Sequence, residues 1–302
     1  VPRRAPIPTC VVGAGRLARS LIPLLGRTGH PVVAVVSRRL SAARSAARAA
    51  AGARATTSLR RGVDAARLVL LAVPDREIAP TARRLAALRS VDWSRRVVLH
   101  HGGARGPGEL DALAASGAAV GLLHPFQCLG GPRQAAQVLP GSRARIEGDA
   151  PARRAAASLA RALGLRPLAF DRPLADRDRT AYHAAASLMS NDLLALLAIA
   201  TDLLASAGIA RRAAVDALIA LARGTLTQIQ AEGPAGALTG PVSRGDVSTL
   251  EAHLRRLGPG GDGRIHRLLS ARLARLALEH GERRAARSLR RLLGGPRRGR
   301  GV

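Results

Sequence analysis

Over residues 1–172, short apolar runs alternate with amphipathic stretches. Aliphatic and β-branched side chains dominate residues 9–12, 32–36, 68–73, 97–99 and 120–123, each a length suited to a strand buried on both faces. Between them, residues 16–25, 42–51, 78–88 and 109–115 place apolar positions at helical spacing. Two more strand candidates, 144–147 and 167–170, flank a helix at 151–163 and extend the sheet. Strand, crossover helix and strand in this order predict an α/β fold with a doubly wound parallel Rossmann sheet.

After Asp171 the strands stop and helical periodicity takes over. One long helix is expected over 180–207, capped near Asp178 or Thr180 and stopped by Gly208. A second spans 211–229, interrupted by Gly224, and a loop at 233–245 leads to a third over 247–257 with Asp246 as its cap. Residues 258–263 read as a linker and 264–293 as one or two basic helices. The expected organisation is a nucleotide-binding domain at 1–172, an all-α second domain at 173–293 and a disordered basic tail at 294–302.

The net charge of +28 comes from 48 basic residues, all of them arginine. They are dispersed through Ala/Leu/Arg helices and aromatics are 1%, so nucleic acid is not an expected partner. Two cysteines, Cys10 and Cys128, exclude a disulfide framework, and no spacing resembles a metal site. No uninterrupted apolar run reaches the roughly 18 residues that a membrane helix needs. The opening Val-Pro-Arg-Arg-Ala-Pro leads straight into the first strand without a signal-like segment. A cytoplasmic protein without membrane contact is expected.

The first strand runs into Gly13-Ala14-Gly15-Arg16-Leu17-Ala18, a GxGxxA arrangement at a strand-to-helix junction. Gly13 permits the tight turn, Gly15 lets the backbone approach a pyrophosphate and Ala18 keeps the helix close to the sheet. Dinucleotide specificity is read after the second strand, where the chain has Ser37-Arg38-Arg39 and no carboxylate for the ribose hydroxyls. A hydroxyl and a guanidinium suit a 2′-phosphate, so NADP(H) is the expected cofactor. Ala72, Val73 and Pro74 end the expected strand that begins at Leu68 and would line the nicotinamide side.

Six blocks follow one another along the chain: Gly13 to Leu17, Ala72 to Asp75, Leu123-His124-Pro125-Phe126-Gln127, Tyr182 to Ala186, Ser190-Asn191, and Thr239 to Asp246. In that order, and over residues 9–257, the chain resembles Rossmann-like proteins carrying the domain of unknown function numbered 2520. That family is similar to the wider group of 6-phosphogluconate dehydrogenase, ketopantoate reductase, pyrroline-5-carboxylate reductase and prephenate dehydrogenase. The resemblance implies an NADP-linked reductase whose helical second domain contributes to dimerisation, and it points to ketopantoate as one substrate to try. One departure stands out: several of those dehydrogenases use a lysine acid/base, and this chain has no lysine.

His183, Ser187, Ser190 and Asn191 fall at i, i+4, i+7 and i+8 and predict one polar stripe on an otherwise Ala/Leu helix. Burying such groups unpaired costs ~1 to 3 kcal/mol each, so they need a cleft or partners. His183 is suited to general acid work, Asn191 to orienting a carbonyl, and Ser187 and Ser190 to the same surface. A helix-packing network would use the same stripe. His124, at the end of a strand, is the rival proton donor, whereas His100 and His101 point to opposite faces of theirs. In the Thr239 to Asp246 loop, Thr239 and Arg244 suit a substrate carboxylate, and Asp246 either joins them or caps the next helix. The whole reads as an NADPH-dependent, homodimeric reductase of a small carboxylated keto or imino compound. The alternative is a non-catalytic NADP-binding regulatory protein.

Overall fold

The computed structural model describes residues 5–279 and 281–294; beyond Gly294, the tail expected to be disordered lies outside the described residues. The chain forms two compact units, Val1–Asn191 and Asp192–Val302.

The first unit is built on eight strands: β1 (Thr9–Val12), β2 (Val32–Val36), β3 (Arg54–Thr56), β4 (Leu68–Leu71), β5 (Val97–His100), β6 (Ala119–Pro125), β7 (Arg143–Gly148) and β8 (Arg166–Pro167). Their order is β3-β2-β1-β4-β5-β6-β7-β8. All neighbours run parallel except β6 and β7. Alternation along the central strands feeds two cores. Val11, Leu70 and Leu99 pack with Leu21, Ile22 and Leu25 on one face, and Cys10, Val12, Val69 and Leu71 pack with Ile78, Ala82 and Leu85 on the other. The helices covering the sheet are α1 (Arg16–Leu25), α2 (Leu40–Ala47), α3 (Leu59–Val63), α4 (Ile78–Ala86), α5 (Asp111–Ala114), α6 (Pro132–Val138) and α7 (Ala150–Ala162). The chain crosses to opposite sides of β1 at β2 and β4, which opens the crevice where ligands bind in such sheets.

The strand missing from the sequence reading is β3, an edge strand whose Arg54-Ala55-Thr56 carries no apolar run. The last strand shrinks to two residues, because β8 pairs only through Arg143–Arg166 and Ala144–Pro167. The unit boundary lies beyond the expected residue 172, because α8 (Asp176–Ser187) anchors its Arg179 and Tyr182 to β7 and β6.

The second unit is helical: α9 (Leu193–Ser206), α10 (Arg211–Gly236), α11 (Gly240–Arg244), α12 (Val247–Leu257), α13 (Gly261–Glu279) and α14 (Arg283–Leu293). Gly224 does not interrupt α10; the break falls at Gly233, whose φ of 74° and ψ of 169° leave helical geometry just ahead of Pro234. The segment expected as a loop holds the short α11, and the basic stretch at 264–293 is two helices separated near Gly281. Val242, Leu250, Leu289 and Leu293 form this unit's buried cluster, while Leu221 and Leu268 stand 68% and 71% exposed. The helical run Asp176–Ser206 is long and apolar enough, by length and composition alone, to cross a membrane. Its polar residues are too few and too small to lower that measure, although they interrupt every apolar run within it.

Asp149 joins sheet and helix. One carboxylate oxygen accepts from the Val120 amide at 2.6 Å and the other from Ala152 at 2.8 Å, capping α7. Asp149→Ala should lower the unfolding free energy by ~2 kcal/mol in urea titrations, since it removes a cap and strands a buried N–H.

Candidate active site

The glycine loop follows from the strand that precedes it. Gly13 has a φ of 124°, and its amide donates to Val36 O at 2.8 Å. A Cβ there would lie 2.1 Å from the Ala72 carbonyl oxygen, so only glycine lets this turn rest on the end of β4. Gly15 caps α1 with extended backbone, and a Cβ built on it meets nothing within 4 Å. The amino end of α1 therefore opens onto free space, as a pyrophosphate requires. Ala18 is fully buried and holds α1 against the sheet. Ser37 donates its amide to Thr56 O, and Arg38 and Arg39 are exposed, with no ion pair among the described residues. Loop and arginines fit an NADP(H) dinucleotide.

At the ends of β5 and β6 a second cluster forms. His100 donates from Nε2 to Gly106 O at 2.9 Å and accepts the Gly102 amide at Nδ1, so the ring is neutral and brackets the loop after β5. His101 donates from Nδ1 to Leu123 O on β6 at 2.5 Å. Burial pushes both rings down to about 4. His124 stands opposite Arg145 in the β6–β7 register, and its Nδ1 lies 2.9 Å from the Tyr182 hydroxyl on α8. Burial and then the Arg145 cation push His124 down to about 3. His183, the next residue on α8, converges with it: a Cβ on Gly103 would lie 2.5 Å from His183 Cδ2 and 2.9 Å from His124 Nε2.

Beneath Tyr182 lies Arg145, whose side chain is 0% exposed. Its guanidinium sits 5.0 Å from the Tyr182 ring centroid. Nη2 donates to the carbonyls of Gly102 and Arg105, Nε faces Glu147 at 3.3 Å, and Nη1 has no partner. Glu147 also accepts from Arg179 at 2.8 Å, and Arg179 reaches Asp176 at 2.7 Å. Phe126 and Phe170 flank Tyr182, with ring centroids at 4.8 and 6.3 Å. The chain has one tyrosine and two phenylalanines, and all three meet here.

The structure thus brings His124 and His183 together. Ser187 is half-buried, Ser190 donates to Ala186 O at 2.7 Å and Asn191 is exposed. The 3.6-residue spacing behind the expected stripe does not hold throughout, because Ser190 and Asn191 lie in a π turn, Leu188–Asp192. Thr239, Arg244 and Asp246 belong to the second unit. Thr239 is exposed at the start of α11, and Arg244 lines a cavity of about 700 Å³ together with Arg284, Ser243 and Ser288. Asp246 caps α12, its oxygens accepting from the Thr249 amide and hydroxyl and from Ser248. Those bonds, Thr249 foremost, hold its carboxyl down to about 2. Sequence reasoning passed over Tyr182, Arg145, Glu147 and Gly103. The lone tyrosine was the available signal; one arginine among so many carried none.

Residues 2–125 match the profile of a Rossmann-like domain, and residues 142–273 match that of a domain of unknown function, DUF2520. The DUF2520 match begins inside the first unit and takes in β7 and α8, the elements that present Arg145 and Tyr182. No curated protein matches the sequence. Among solved structures, the chain is similar to BF3122 from Bacteroides fragilis, provisionally named an NADP oxidoreductase, at 23% identity and a TM-score of 0.72, covering 89% of this chain and 98% of that one. It is also similar to a pyrroline-5-carboxylate reductase from Coxiella burnetii, at 16% identity and a TM-score of 0.57, over 97% and 100% of the two chains. An imine reductase from Pseudomonas sp. follows at 16% and 0.58, over 94% and 98%. At these identities the likeness is one of fold.

His100, His101 and His124 give this chain a characteristic acid response. Their folded values lie below the ordinary histidine value, so the stability they confer is present above pH 6.5 and is lost as pH falls. Between about pH 6 and 4 the unfolded chain binds up to three more protons here, a slope of at most about 4 kcal/mol per pH unit. Urea midpoints measured across that window should fall steeply in the wild type and less so in His101→Gln.

Proposed function

We propose that this chain is an NADPH-dependent reductase of a small carboxylated keto or imino compound. One observation carries the reading: the Gly13 turn seated on Ala72, with open space over Gly15 at the amino end of α1. Gly13, Ala14, Gly15, Arg16 and Leu17 would hold the pyrophosphate, Ser37 and Arg38 the 2′-phosphate, and Ala72, Val73 and Pro74 the nicotinamide side. The bound dinucleotide supplies hydride. Similarity to proteins named as NADP oxidoreductases and as pyrroline-5-carboxylate and imine reductases supports the same reading.

The reaction also needs a proton, and in this reading the His124–His183 cluster moves it. Neutral, half-buried His124 is bonded on one side and faces its exposed neighbour on the other. Ser187, Ser190 and Asn191 orient the substrate, and on the second unit Thr239 and Arg244 suit a carboxylate. With both oxygens engaged in capping, Asp246 positions that loop. A second copy of the chain covers exposed leucines such as Leu194 and Leu221, giving a homodimer. The reading places it in the cytoplasm, a reducing compartment in which Cys10 and Cys128 stay free.

Calorimetry tests the cofactor. NADPH should bind, and Arg38→Ala should weaken it by about 2 kcal/mol, roughly 30-fold, while leaving NADH affinity unchanged. No heat with NADPH in well-folded protein sinks the reading. Sedimentation velocity should give a mass of two chains, and Leu221→Arg should shift it towards one.

A further inference from the structure

We propose that Tyr182 is the terminal proton donor of this reductase, recharged through His124, with Arg145 as the positioning residue beneath it; the proposal rests on the reductase reading above. Tyr182 is the only hydroxyl-bearing side chain bonded to either histidine among the described residues. Its ring is fixed on several sides by Phe126, Phe170, His124 and the Arg145 guanidinium. A ring so held keeps one orientation of its hydroxyl, as a proton donor must.

Arg145 has a reason to be there that packing alone does not give. Among the described residues neither Nε nor Nη1 of this fully buried cation has a hydrogen-bond partner, so it costs stability, and the field it creates acts on the groups around it. Nη2 binds the backbone at Gly102 and Arg105, fixing the loop that carries Gly103 against both histidines. Burial first and then its charge keep His124 unprotonated, and its charge favours the phenolate formed as the proton leaves. The charged and titratable groups facing this pair are Arg145 and Glu147 on β7, His100 and His101 at the end of β5, and His183 on α8. Burial keeps the Tyr182 hydroxyl protonated until a stronger base, the developing alkoxide or amide nitrogen, forms beside it.

The step balances as follows. As the carbon of the C=O or C=N bond gains hydride, its heteroatom gains the π electron pair. The Tyr182 O–H bond breaks and a new O–H or N–H bond forms on that heteroatom. The phenolate then takes the Nδ1 proton of His124 while Nε2 accepts one from water, with exposed His183 at the solvent end. Imidazole starts and finishes neutral with its tautomer exchanged, and solvent resets it.

Tyr182→Phe keeps the ring and removes only the hydroxyl, so the aromatic nest should survive. Nitrogen-15 NMR of the histidines, assigned with His124→Gln, should show the His124 Nδ1 signal shift in Tyr182→Phe with the other rings unmoved. Arg145→Gln should raise the His124 titration, and Arg145→Lys should restore it in part. NADPH oxidation would be followed with ketopantoate, pyruvate and 1-pyrroline-5-carboxylate. Tyr182→Phe should lose at least 100-fold in kcat with NADPH affinity unchanged, and His124→Gln should lose less. An active wild type with Tyr182→Phe within threefold of it, or an unmoved His124 signal, overturns the proposal. A wild type that binds NADPH and reduces none of the three overturns the reductase reading instead, and the proposal with it.

Discussion

A guanidinium with no path to water needs its charge met where it stands, and Arg145 meets that need only by drawing other parts of the first unit towards it. Glu147, two residues along the same strand, provides the countercharge and passes the linkage to Arg179 on α8. The carbonyls of Gly102 and Arg105 bring in the loop after β5. Strand, loop and helix converge on one cation, and removing Glu147 would leave the buried Arg145 charge uncompensated at a cost of ~3 to 5 kcal/mol. The antiparallel pairing of β6 with β7 makes this possible, because it puts Arg145 directly opposite His124.

The two halves of the first unit therefore do different physical work. The strands flanking β1 make a crevice from backbone alone: glycine at the turn, an open helix end and a carbonyl as its floor. The strands beyond β4 make a polar, largely dehydrated nest in which three histidines are held neutral. A dinucleotide needs the first kind of surface and proton movement needs the second. The parallel order β1-β4-β5-β6 sets both along one edge of the sheet.

Much of this was legible in the residues. Buried strands announced themselves as aliphatic runs, the GxGxxA turn marked the crevice, and β1, β2, α1 and α12 begin and end where periodicity and caps place them. Failures had local causes. β3 is an edge strand whose Arg-Ala-Thr offers no hydrophobic contrast. The π turn at Leu188–Asp192 is invisible to any argument that assumes 3.6 residues per turn, the spacing used to place Ser190 and Asn191. Arg145 was hidden by abundance: only its burial distinguishes it from the other arginines, and burial arises from the antiparallel pairing rather than from its neighbours in sequence.

The scarcity of aromatic rings has an optical consequence. Trp93, the single indole, is buried beside β5 and β4 in the core that contains Leu71 and Val98, and the single phenol is Tyr182. Ultraviolet emission and near-ultraviolet dichroism are thus signals of the first unit alone. The helical unit is silent at those wavelengths, so an optical melt of this chain would follow the sheet and leave the helices after Asp192 unobserved.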